Sequence, residues 1–307
     1  MSREEFFMPS KDGQTKLHGY VWTPDGEPAA VLQLVHGMSE YIGRYDAFAR
    51  YLNSRGIAAI GHDHLGHGQS VTEEGRLGYF ADRDGDELLD LDIHAVTEKA
   101  KETFPGKPVF ILGHSMGSFL VRRHLTRYSG EFAGAIVMGT GNVPAALAGV
   151  GVGLSKTVAA LRGRFHRSGL LAGLALGSNN KPFRPNRTDF DWLSVNTENV
   201  DRYIADPLCG FNFTAGAFID FFTFIKKVGE TEDADRIRKD LPVLVVSGEL
   251  DPVGGKAAVE QVSAGYKTLG LADVEAKIYT GDRHEILNED DRETVYRDLA
   301  AWILARI

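Results

Sequence analysis

Short apolar runs alternate with amphipathic helical patterns in two separate blocks of the chain, and this alternation restricts the fold more than any other feature. In the first block "AVLQLVHG" precedes a helical pattern over residues 44–55 that ends at Gly56, and "IAAIGHD" precedes one over 85–104. Leu89, Ile93, Val96, Ala100 and Phe104 recur at spacings of three and four, so they share one helix face, and Pro105-Gly106 stops the helix. "PVFILGH", a helix beginning after Ser115 and "AGAIVMGT" complete the block. The second block runs "LPVLVVSGE", a helix over 256–269, "ADVEAKIYT" and a closing helix over 292–307. Strands joined through helices return to a sheet in parallel, with helices covering both faces. Two β-rich runs, "EEFFMP" and "KLHGYVW", flank the turn signal Asp12-Gly13 ahead of all this.

The rhythm breaks at Gly141. Residues 142–227 show no regular alternation, only Gly/Ala/Leu-rich helical stretches and a polar loop, "SNNKPFRPNRTD". At 307 residues the chain slightly exceeds the usual size of one core. The expectation is a core built from 1–141 and 228–307, with 142–227 inserted as a cap.

One junction carries chemistry. In "VFILGHSMGSFLVRRHL" an apolar strand stops at Gly113-His114-Ser115-Met116-Gly117 and a helix starts at once. G-x-S-x-G between a strand and a helix is the context that makes the motif an elbow, not a chance match. A sharp turn holds the serine in a strained conformation, so the residues two positions away must lack side chains. The turn lifts the hydroxyl above the sheet edge, and the following helix N-terminus aims N–H groups at a developing oxyanion. A serine that merely caps a helix is the plain alternative.

A serine hydroxyl needs a histidine to take its proton and a carboxylate to hold that histidine's tautomer. In this fold the order is Ser, then Asp or Glu, then His. Asp251 lies just beyond the strand in "VLVVSGELDPVG", and His284 follows the next strand in "AKIYTGDRHEILNE". Glu249, Asp282 and Glu285 are weaker candidates for the acid, expected to orient loops at the surface. Oxyanion donors are expected from the peptide N–H groups of Met116 and of Met38, which follows His36-Gly37 after the first buried strand.

With these segments assembled, the chain resembles the α/β-hydrolases of the monoacylglycerol lipase and lysophospholipase group, in the serine aminopeptidase S33-like family. The carrying stretches are "HGMSEYIGRY", "DHLGHGQS", "GHSMGS", "SGELDPVG" and "RHEILNE". The resemblance implies an α/β fold with a mostly parallel eight-stranded sheet, helices on both faces and an inserted helical cap. It implies Ser115 as nucleophile, Asp251 as acid, His284 as base and oxyanion donation by Met38 and Met116. "DPLCGFNFTAGAF" also resembles a segment of bacterial members. Gly37, Cys209 and Phe211 are the candidates for the substrate wall, Cys209 because the cap returns to the core there. Leu65 departs from the group, whose members often carry arginine at that point, without touching the triad.

Other signals narrow the class. His62, Asp63, His64 and His67 crowd one loop with zinc-compatible side chains. The resemblance explains them as loop scaffold, and neither a metal nor a cofactor is expected. No Walker or G-x-G-x-x-G pattern is present. A net charge of −8 argues against nucleic acid as a partner. The single cysteine, Cys209, excludes an internal disulfide. The N-terminus "MSREEFFMPS" has no apolar h-region, and no long uncharged span suggests a membrane helix, so a cytoplasmic protein is expected.

The cap has its own composition. No acidic residue lies between Glu131 and Asp189, while Lys156, Arg162, Arg164, Arg167, Lys181, Arg184 and Arg187 do. Two apolar stretches, "VPAALAGVGVGLSKTVAAL" and "GLLAGLALG", share that interval. The plain reading is a helical lid with its arginines in solvent. The sharper one is a greasy, basic cap that admits an acyl chain and touches membrane surfaces. Phe211, Phe213, Phe218, Phe221, Phe222 and Phe224 read as core before ligand wall. The expected reaction is ester hydrolysis through an acyl-enzyme, on a monoacylglycerol or lysophospholipid. Small-ester, amide or acyl-transfer chemistry would use the same machinery, and a binding module on this scaffold would show a broken triad. Acyl length, head group and oligomeric state are not encoded legibly.

Overall fold

The computed structural model describes residues 1–307 except 72, 74 and 231–233. Eight strands form one sheet: β1 (Ser2–Pro9), β2 (Lys16–Thr23), β3 (Ala30–Val35), β4 (Ile57–His62), β5 (Val109–His114), β6 (Gly134–Met138), β7 (Val243–Gly248) and β8 (Val274–Tyr279). Their order is β1-β2-β4-β3-β5-β6-β7-β8. β1 and β2 pair antiparallel, as do β2 and β4, and all later pairs are parallel.

Strands β3 to β7 are buried along their whole length, which is why they read as unbroken apolar runs. Successive residues on such a strand face opposite sides. Phe110 and Leu112 pack with the helices α1 (Asp46–Ser54) and α9 (Arg292–Leu304), whereas Val109 and Ile111 pack with α2 (Gly85–Thr103), α3 (Met116–Tyr128) and α8 (Gly255–Thr268). The chain winds from β3 outward to β4, then returns beside β3 as β5 and winds the other way. That reversal opens a crevice at the C-terminal ends of β3 and β5, where ligands bind in open sheets of this type.

Between β6 and β7 the chain leaves the sheet and builds α4 (Ala145–Arg162), α5 (Gly169–Leu176), α6 (Thr197–Ala205) and α7 (Ala215–Gly229). Phe213, Phe218 and Phe224 are fully buried and continue the apolar cluster under the sheet into these helices. α4 buries only the narrow stripe Ala148, Gly151 and Ser155. A Cβ on Gly151 would lie 2.6 Å from the Phe222 ring, so glycine there lets α4 settle onto α7. Leu147, Val150 and Leu161 stay 59%, 64% and 77% exposed, while Val152, Leu154, Val158 and Ala159 are partly buried against the core. Among the described residues α4 is the one helix long and apolar enough to cross a membrane, with a mean hydropathy of 1.2 over 18 residues. Lys156 and Arg162 interrupt it, so it is not the long uncharged span whose absence the sequence indicated.

The basic residues of the insertion do not all face solvent. Arg164 donates to the Ala81 carbonyl at 3.1 Å, and Arg167 donates to the carbonyls of Asn212, Gly75 and Leu77. Those two arginines tie the inserted segment to the core, because backbone carbonyls there need donors. Arg187 pairs with Asp201 at 2.6 Å within the insertion.

Candidate active site

Ser115 follows β5 with φ 53° and ψ −120°, a positive φ that a non-glycine residue adopts only under constraint. A Cβ on Gly113 would collide with the Gly117 carbonyl, and one on Gly117 with the carbonyls of Val35 and His36. Both glycines are therefore required by backbone closeness on the two sides of the turn. A Cβ on Gly37 would lie 3.1 Å from that of Ser115, which shows how closely the loop after β3 passes the serine. Met116 opens α3, so its N–H belongs to the first turn, where amides have no helical acceptor.

Asp251 and His284 meet after β7 and β8. His284 Nδ1 donates to Asp251 Oδ1 at 2.9 Å. Asp251 also accepts from the Ser247 hydroxyl at 2.7 Å and the Val253 amide at 2.9 Å. Burial would raise this carboxyl, but His284 and the added hydrogen bonds outweigh it and hold it below the usual carboxylate range.

Ser115, His284, Met38, Met116, Gly37, His114 and Phe211 line one cavity of about 540 Å³. Its far wall is apolar, from Leu147, Ala148, Val150 and Gly151 of α4, Ala172–Leu176 of α5, and Phe221, Phe222 and Ile225 of α7. Asn179, Asp189, Tyr203, Asn212, Glu40 and Glu285 supply polar lining. Cys209 is not brought to this wall. It is 9% exposed among Trp192, Leu193 and Tyr203, and burial pushes its thiol well up. Phe221 and Phe222 serve both core and cavity.

Of the three rival carboxylates, only Glu249 is exposed. Glu285 and Asp282 depart from the surface role expected of them, being 3% and 5% exposed. Glu285 is gripped by Arg44 through both oxygens, at 2.6 and 2.7 Å, and by Asn199 of α6 at 2.7 Å. Burial and the neighbouring carboxylates of Asp291 and Glu289 push Asp282 up to about 7.

Glu40 is a further residue that motif reasoning passed over. Its Oε1 accepts from the Gly37 amide at 2.6 Å, the Tyr45 hydroxyl at 3.0 Å and His114 Nδ1 at 3.1 Å. Its Oε2 accepts from Arg44 at 3.0 Å. His114 Nε2 donates in turn to the His284 carbonyl at 3.2 Å. One carboxylate thus braces the loop after β3, the elbow and the histidine loop. The spacing of Glu40 and Arg44 by four, inside "HGMSEYIGRY", was the available signal.

In the crowded histidine loop Asp63 and His67 are engaged by backbone amides, whereas both ring nitrogens of His62 and of His64 are buried without a hydrogen-bond partner. Asp63 accepts from the Ile42 and Gln69 amides at 2.7 and 2.8 Å and pairs with His18 Nδ1 at 2.7 Å. His67 Nε2 accepts from the Ser39 amide and His36 Nε2 from the His64 amide. Burial pushes His62 and His67 down to about 3, so both imidazoles are neutral.

A parallel sheet reversing at β3 and β5, a strained serine at the strand-to-helix turn and an inserted helical cap define an α/β-hydrolase. The chain belongs to the serine aminopeptidase S33 family, whose model matches residues 26–291. It is 30% identical to the monoacylglycerol lipase of Mycolicibacterium smegmatis over 292 residues, 94% of this chain and 92% of that one. A thermostable carboxyl esterase of Bacillus coagulans superposes with a TM-score of 0.90 at 25% identity, covering 99% of each chain. The monoglyceride lipase of Saccharomyces cerevisiae shares the fold, with a TM-score of 0.78 at 19% identity over 100% of this chain and 95% of that one.

Proposed function

We propose that this hydrolase cleaves carboxylic esters through an acyl-enzyme on Ser115, and that its substrates are lipids with one acyl chain. The observation that carries the reading is the Asp251–His284 pair opening, with Ser115, onto a cavity whose deeper wall is hydrocarbon. In the proposed reaction His284 takes the proton of Ser115 as its oxygen attacks the acyl carbonyl. The Met38 and Met116 amides stabilise the oxyanion, and His284 returns the proton to the departing alcohol. Water then repeats the sequence on the acyl-enzyme. Hydrolysis of this kind needs no cofactor.

The similarity to a monoacylglycerol lipase over nearly the whole chain supports this substrate class. Residues 142–227 are proposed as the cap that shapes the acyl site, set on a core of 1–141 and 228–307. The exposed apolar residues of α4, with Lys156 and Arg162 on the same helix, support transient contact between the cap and a membrane surface, with the protein peripheral to it. The test is kcat/KM over monoacylglycerols and simple esters of increasing chain length, with lysophospholipids and aminoacyl amides beside them. A rise to a medium or long chain is expected. An optimum at two to four carbons would make it a small-ester carboxylesterase, and faster amide cleavage would make it a peptidase.

A further inference from the structure

The imidazole of His284 is not held by Asp251 alone. The indole of Trp192 packs against it with ring centroids 5.0 Å apart and an interplanar angle of 40°. Trp192 comes from the insertion, is 8% exposed and lines the cavity.

The segment bearing this indole is clasped to the histidine loop. Glu289, with no exposed surface, accepts from the Ser194 hydroxyl at 2.6 Å, the Val195 amide at 2.9 Å and the Asn196 amide at 3.2 Å. The same carboxylate accepts from the Arg283 amide at 2.9 Å, inside the histidine loop itself. The Glu285 amide donates to the Leu193 carbonyl at 2.8 Å, and Arg283 donates to the Ser194 carbonyl at 3.2 Å. Asn180 fixes the other side, accepting from the Trp192 amide at 2.9 Å. Such a web makes Trp192 and His284 one rigid unit, although the insertion supplies one and the core the other.

We propose that Trp192 is a positioning residue for the base: it holds the His284 ring in register and stabilises the imidazolium that forms while Ser115 attacks. An aromatic face within about 6 Å of a cation attracts it, and more strongly where water is excluded. The base would then be complete only when the cap segment over 191–199 is seated. This rests on the reading of His284 as the general base.

The charged and titratable groups around the ring are Asp251 on β7's loop, Ser115 and His114 at the elbow, Glu40 and Arg44 behind His114, Arg283 and Glu285 beside His284, and Asp282 and Glu289 of the same loop, of which Asp282 is pushed up to about 7. Asp191 precedes the indole in its own segment. None of them changes when Trp192 is replaced. Trp192→Leu keeps the ring shielded from water but removes the π face, and Trp192→Phe keeps both.

The experiment is the pH dependence of kcat and kcat/KM on a water-soluble butyrate ester, which does not reach the deep acyl wall. For Trp192→Leu the acid limb of kcat/KM is expected to move down by roughly half to one pH unit. Plateau kcat should fall by roughly tenfold with little change in KM, and Trp192→Phe should restore most of both. Mere loss of a wall residue would raise KM and leave the limb in place. An unmoved limb, or one moved upward by added hydration of the ring, overturns the proposal. If Trp192→Leu does not fold, wild-type protein with fluorinated tryptophans of graded ring electron density serves instead, and an acid limb independent of fluorination overturns it. His284→Ala separates the two levels: retained activity would refute the base reading, whereas lost activity with an unmoved Trp192→Leu limb would refute this proposal alone.

Discussion

Glu40→Gln is the perturbation that most sharply probes how the site is held together. Glu40 is 4% exposed and uses both oxygens: three donors converge on Oε1 and Arg44 on Oε2. Every one of those partners is a donor, so an amide nitrogen placed on either side faces a donor. Removing one member of a buried ion pair commonly costs about 3–5 kcal/mol. Arg44 keeps its two-pronged bond to Glu285, which reduces the expected loss to about 2–3 kcal/mol. The Gly37 peptide also loses a charged anchor beside the proposed oxyanion donor of Met38, so kcat should fall about tenfold to a hundredfold. The sign of the pH dependence follows from the direction of the shift. Burial opposes ionisation of Glu40, but His114 and Arg44 overcome it and hold its carboxyl far below the ordinary value near 4.5. The stabilisation is therefore complete above that ordinary value and disappears as pH falls below it toward the folded-state value. Urea unfolding of wild type and variant should show the widest gap between about pH 5 and 6.5, shrinking below as the Glu40 carboxyl takes up its proton and above as His114, whose imidazolium Glu40 favours, loses its own. A gap under about 1 kcal/mol in that window with normal kcat would refute the bracing role.

Three other outcomes follow from particular contacts. Ser115→Gly should abolish turnover yet raise stability by about 1 kcal/mol, because glycine tolerates the positive φ; thermal unfolding that shows destabilisation would contradict the strain. Gly151→Val pushes a side chain toward Phe222 at the apolar end of the cavity, so the acyl-chain optimum should shorten; an unchanged profile would place the chain elsewhere. Leu161→Glu with Leu170→Glu, both exposed and outside the cavity lining, should weaken sedimentation with anionic vesicles at least tenfold while soluble-ester turnover stays normal, and equal binding would remove this apolar face of α4 and α5 from the membrane contact.

The parts of this fold that could be read from residues alone were those whose signal is local. Strand β5, the glycines around Ser115 and the loops bearing Asp251 and His284 each declare themselves within a dozen positions, because backbone crowding and strand ends leave short signatures. Where burial is decided by distant partners, the reading failed. Glu285 looked like a surface loop residue, since carboxylates usually are, but Arg44, separated by 241 positions, draws it inside. Arg164 looked like a solvent cation but is half-buried with the Ala81 carbonyl as acceptor, and Arg167, though exposed as expected, also reaches the carbonyls of Gly75 and Leu77. Trp192 sits in a polar stretch with no periodicity, so nothing nearby announces that its indole covers the His284 ring. α4 has apolar residues on every side, so its period could not tell the narrow buried stripe from the exposed face.

The central claim is that Ser115 is a nucleophile activated by His284, and the most direct measurement is the rate and site of reaction with a fluorophosphonate, mapped by peptide mass spectrometry. Stoichiometric modification of Ser115 alone in the wild type, slowed by a factor of about a thousand or more in His284→Ala, is the predicted result. Modification elsewhere, or labelling of Ser115 at the same rate without His284, would contradict it.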